Sequence, residues 1–161
     1  MTTAFGAFRR IVLALAAIIA ATSLGYHDAQ AVKQTGGEYN TLFAGLGGKG
    51  YDPVAYFTDG KAVPGKAEFE AVYGGVTWRF ATAEHRDLFK AEPAKYAPQY
   101  GGFCAWGVAQ GKLFDIDPVD GWKIVDDKLY LNFNKDILDL WQKDLGGNLS
   151  KSEANWPALN Q

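Results

Sequence analysis

Sulfur and imidazole are both scarce in this sequence. Among 161 residues there is one cysteine, Cys104, and there are two histidines, His27 and His85. One cysteine excludes an internal disulfide. Charge is also short of any excess: 16 Lys and Arg stand against 18 Asp and Glu, a net of −2, with no basic run. A surface built to neutralise phosphates is therefore excluded, and nucleic acid is not expected as a partner. Internal repeats and low-complexity tracts are absent. What is present is ample apolar material, 48% of residues with 14% aromatic, enough for the packed core of one ordinary domain.

The N-terminus has the pattern of a targeting segment. Arg9 and Arg10 precede an apolar run from Ile11 to Ala21 that ends at Thr22-Ser23. That run has the length of a signal-peptide core and is too short to cross a bilayer of ~30 Å. Ala29-Gln30-Ala31 fits the small-x-small cleavage rule, so residues 1–31 are expected to be removed. The Arg pair allows a twin-arginine route, which Phe8 before it weakens; an uncleaved anchor is the alternative. Cleavage takes away Arg9, Arg10, Asp28 and His27, moving the net charge to −3 and leaving His85 as the single histidine. The mature chain is expected in the periplasm or secreted, with no stable membrane span. In that oxidising setting Cys104 is an odd thiol, to be buried, bound or paired with another molecule.

Residues 32–49 are rich in glycine and read as a flexible linker that becomes ordered near Leu42. Pro53 argues against a central strand, so 51–57 reads as an edge strand or turn. Alternation over 68–72 and 76–80, with Gly74-Gly75 between, predicts a hairpin. Thr82 is a predicted N-cap for a helix over 83–91 that stops before Pro93. On that helix His85 shares a face with Leu88 and Phe89 and is expected to point inward. Residues 96–111 read as loop with one short helical turn. A second hairpin is predicted over 122–131, and a helix over 135–145 capped by Asn134 and ended by Gly146-Gly147. A shorter amphipathic tail follows at 152–159. The expected fold is α+β: a small antiparallel sheet of two hairpins packed against the 83–91 and 135–145 helices.

Several blocks together resemble a known family: Gly50-Tyr51-Asp52-Pro53-Val54-Ala55-Tyr56-Phe57, Tyr73-Gly74-Gly75-x-x-Trp78-x-Phe80, Phe89-x-x-x-Pro93-x-x-Tyr96, Pro98-x-Tyr100-Gly101-Gly102-x-Cys104-Ala105 and Leu129-Tyr130-Leu131-Asn132. In these the chain is similar to the YHS domain family, in a longer exported form, over about residues 50–159. The resemblance implies a metal-handling module, since short family members are found beside proteins that handle copper and other heavy metals. Those short members carry cysteines at the positions that are Ala55, Ala81 and His85 here, so their thiolate site is absent and one imidazole stands at its last position.

The leading functional expectation is a binding protein for a transition metal, copper before zinc, using Cys104 and His85 with a further donor from Tyr51, Asp52, Tyr100 or a second molecule; another periplasmic protein is a possible partner. Thiolate and imidazole together suit such ions. The bland reading sets a hydrogen-bonded core histidine beside a buried cysteine that acts as a small hydrophobe, in a structural or interaction module without metal. A Cys-dependent enzyme is the third reading, with Gly101-Gly102 as candidate oxyanion donors. Tyr51, Tyr56, Tyr96 and Tyr100 could line a polar pocket with Asp52 or simply pack the core. Asp115, Asp117 and Asp120 lack the Gly and Glu of a calcium loop and are expected to be solvated.

Overall fold

The computed structural model describes residues 38–161. The predicted export signal and cleavage site lie outside them. Among the described residues two antiparallel hairpins, six α-helices and two 3-10 turns make up an α+β fold: α1 (Ala55–Thr58), β1 (Lys66–Tyr73), β2 (Val76–Phe80), α2 (Ala83–Ala91), α3 (Pro93–Tyr96), α4 (Ala105–Ala109), β3 (Trp122–Val125), β4 (Lys128–Leu131), α5 (Lys135–Lys143) and α6 (Leu145–Leu159).

The hairpins do not join into one sheet; each forms its own two-stranded sheet. The inner edges are already taken. A single parallel bridge from Leu46 to Thr77 covers the free edge of β2, and one from Cys104 to Leu131 covers that of β4. Within the first hairpin Val76 faces Tyr73 and Trp78 faces Ala71, and a bulge interrupts the register between Lys66 and Glu70. Val76, Trp78 and Phe80 alternate inward along β2, as a sheet with one wet face requires. The second hairpin turns through Asp126 and Asp127, both at positive φ, a conformation that short polar side chains tolerate.

Three apolar clusters form the core. The first gathers Val54, Val76, Trp78, Phe80, Phe89 and Tyr96. The second holds Tyr56, Cys104, Ile116, Leu129 and Leu131, and the third Ala105, Tyr130, Leu138 and Trp141. Strand β4 divides the last two, because successive side chains point to opposite faces: Leu129 and Leu131 enter one cluster and Tyr130 the other.

Three local expectations are corrected. Gly146-Gly147 does not end a helix but opens α6: the chain bends at Asp144, whose carboxylate accepts the Gly147 N–H at 3.2 Å and starts a new helix. Leu88 is 42% exposed while Phe89 is buried, so the inner face of α2 is narrower than its two apolar residues suggest. Within residues 38–49, Tyr39, Asn40 and Leu46 pack onto the domain instead of forming a free linker, while Leu42 and Phe43 stay exposed. The Asn40 N–H bonds the Gly101 carbonyl at 2.7 Å, Tyr39 stands edge-on to Trp78 at 5.6 Å, and Leu46 is buried.

Candidate metal centre

Asp52 is fully buried and its carboxylate ties three elements together. Oδ1 accepts the N–H groups of Val54 at 2.9 Å and Ala55 at 3.3 Å, which fixes the start of α1. Oδ2 accepts the N–H of Ala81 at 2.8 Å, just past the end of β2. The same oxygen lies 2.6 Å from Nδ1 of His85 on α2. A buried carboxylate is tolerated when donors replace water, and these four do so without a lysine or arginine.

His85 reaches that position because Thr82 caps α2, its hydroxyl accepting the His85 N–H at 3.1 Å. The predicted cap and inward direction are both observed, with the side chain 13% exposed. With Nδ1 bound to a carboxylate, the tautomer that leaves Nε2 as the free nitrogen is favoured. Nε2 faces outward, 3.3 Å from Oγ1 of Thr58 and 3.8 Å from Oδ1 of Asp59. Thr58 in turn donates to Asp59 Oδ1 at 2.8 Å. Sequence reasoning overlooked Thr58 and Asp59; the Asp59-Gly60 turn that carries them looks like an ordinary loop signal, and only the fold brings it over the imidazole.

Ala55 and Ala81 donate their backbone N–H groups to Asp52, which also meets a ring nitrogen of His85.

Cys104 does not join this pair. Among the described residues no group of three or more His, Cys, Asp and Glu side chains converges to hold a metal ion, so the expected set of Cys104, His85 and Asp52 is not assembled. The sulfur lies instead at the N-cap of α4, where it accepts the Gly107 N–H at 3.4 Å and lies 3.7 Å from Oδ1 of Asn132. Hydrocarbon from Tyr56, Ile116, Leu129 and Leu131 encloses it. Burial pushes the thiol up from its ordinary value, against weaker lowering by the N–H groups of Gly107, Phe133 and Trp106. A thiol held neutral in this way is a weaker nucleophile than an ordinary cysteine. Cys104 itself, with Trp106, Phe114, Phe133 and Ile137, lines an apolar cavity of about 210 Å³.

The remaining candidates scatter. Tyr51 makes an isolated antiparallel bridge with Pro64. Tyr100 packs against Tyr130 and Trp156, each at 5.8 Å, and burial raises its phenol to about 12. Tyr56 and Tyr96 lie in two different clusters, so the four tyrosines do not line one pocket. Asp115 pairs with Lys49 at 2.6 Å, and Asp117 accepts the N–H groups of Val119 and Asp120. Among the described residues these aspartates form no group of three acidic, His or Cys side chains placed to hold a metal ion.

No curated protein and no solved structure matches the chain. The family model of the YHS domain matches residues 54–100, the stretch from the turn after Asp52 through both strands of the first hairpin and α2 to Tyr100.

Proposed function

We propose that this protein binds a transition metal ion, copper before zinc, outside the cytoplasm, with Nε2 of His85 as its principal ligand and the Asp59 carboxylate as neighbouring donor. One observation carries the reading: a fully buried Asp52 holds Nδ1 of His85 at 2.6 Å and so aims Nε2 at the surface beside Asp59. A carboxylate behind a ligating imidazole is the usual way a protein orients the ring and raises its basicity. Two bonds of ~2.0–2.2 Å can bridge the Nε2 to Oδ1 separation of 3.8 Å. Asp52 itself stays out of the coordination sphere, since both its oxygens are committed to donors. Two protein donors leave the rest of the sphere to water or to a partner protein, which suits passing an ion on better than storing it.

Titration of the purified protein with Cu(II) and Zn(II), followed by calorimetry, tests this. Wild type and Cys104→Ser are expected to bind alike, His85→Ala to lose the site, and Asp52→Asn to bind ~10–100-fold more weakly. Equal binding by wild type and His85→Ala sinks the proposal and leaves a non-metal interaction module, the reading in which the Asp52–His85 pair serves only to join α1, β2 and α2.

A further inference from the structure

A second cavity, of about 200 Å³, opens between residues 38–39, the end of β1, the turn at Tyr100 and the C-terminal end of α6. Four aromatic rings line it: Tyr39, Tyr73, Tyr100 and Trp156. They form two pairs, Tyr39 with Tyr73 at 6.1 Å and Tyr100 with Trp156 at 5.8 Å. Among the described residues no lysine, arginine or histidine contributes to the lining, whereas Glu38 does. Asn160 also lines the cavity, and its Oδ1 is buried without a hydrogen-bond partner. Gln99 adds a neutral amide, and Glu38, which carries the formal charge of the described lining, favours positive charge. The carboxylate attracts it, the orphan oxygen is an acceptor, and aromatic rings present a negative quadrupole to a cation. The Tyr39 phenol is driven up by burial and then by Tyr73 and Glu38, so it stays neutral and offers a ring rather than a phenolate.

We infer that this cavity binds an alkylated ammonium cation of the choline class. An anion would meet Glu38; the alkylated ammonium group lies against the rings, and the hydroxyl of choline, not its nitrogen, supplies a donor for Oδ1 of Asn160. The size is right for a small head group: a cavity of ~150 Å³ already accepts a single aromatic ring, and drug-sized sites start at ~300 Å³. The inference is independent of the metal reading, because no residue is shared between the two sites.

Calorimetric titration of the full mature chain with choline, and separately with 3,3-dimethyl-1-butanol, its uncharged isostere, decides the matter. Choline is expected to bind saturably and at least ~5-fold more tightly than the isostere. Glu38 is exposed, so Glu38→Gln should fold normally; it is expected to weaken choline ~3–5-fold and leave the isostere unaffected. Trp156→Leu should weaken choline further, with circular dichroism confirming that α6 persists. Equal binding of choline and the isostere, an unchanged choline affinity in Glu38→Gln, or no saturable heat up to ~50 mM choline each overturns the inference.

Discussion

Asp52 and Cys104 are both fully buried, yet their surroundings give them opposite roles. Asp52 meets four donors on two oxygens, so an amide in its place must turn an NH₂ group toward N–H donors. Asp52→Asn is therefore expected to cost about 2–4 kcal/mol in urea denaturation, in the range for a buried charged hydrogen-bond partner removed. Cys104 has hydrocarbon around it and a thiol raised by burial. Iodoacetamide at neutral pH is expected to leave it unmodified in the folded protein and to label it fully in denaturant, as read by mass spectrometry. Fast native labelling would show that the sulfur is reachable and reactive, and would return it to the list of functional groups.

Helix α4 cannot stand alone, since five residues are far below the length at which an isolated helix holds in water. Its stability comes from α6. Ser152 donates its hydroxyl to the Ala105 carbonyl at 3.1 Å, and Asn155 donates its amide to the carbonyls of Val108 and Ala109 at 3.0 and 3.2 Å. Val108 and Ala109 carry C-terminal carbonyls that a helix leaves without intrahelical partners, while Ala105 opens α4. Ser152→Ala and Asn155→Ala are each expected to cost about 1 kcal/mol. Because both act on the same short helix, their effects should depart from additivity in a double-mutant cycle. Strictly additive losses would mean that α4 is held mainly by apolar packing.

Over the whole molecule the three clusters are linked by residues that serve two of them, such as Phe57, which packs against the first and the second. Buried tyrosines also set the alkaline limit of stability. Tyr56 is 3% exposed, donates its hydroxyl to the Pro118 carbonyl at 2.8 Å, and has a phenol raised by burial first and by Tyr51, Asp117 and Asp52 next. A folded-state value above the unfolded one of about 10 means that its contribution is complete below that pH and is lost as the pH rises further. The melting temperature should therefore fall between roughly pH 9.5 and 11.5. Tyr56→Phe should flatten that fall without removing it, because Tyr39, Tyr100 and Tyr130 are raised as well. No helix among the described residues is long and apolar enough to cross a membrane.

Local chemistry alone dictated the hairpin with its Gly74-Gly75 turn, the Thr82 and Asn134 caps, the helix that stops at Pro93, and the inward direction of His85. Each depends on a few neighbouring residues, and the α+β class follows from their order. The family resemblance was legible as well, because its blocks are short and contiguous. Which side chains meet was decided only by the tertiary structure. Cys104 and His85 are the two strongest ligands among the described residues, and composition alone pairs them. Folding pairs His85 with Asp52 instead, because the turn after Asp52, the end of β2 and α2 all need one acceptor at the same point. Cys104 is drawn into the hydrocarbon beside β4, where a small apolar side chain fits between Leu129 and Leu131. Thr58 and Asp59 acquire meaning only once α1 lies over α2. Sequence spacing carries no trace of that approach, because it is set by packing between residues 26 and 27 positions apart.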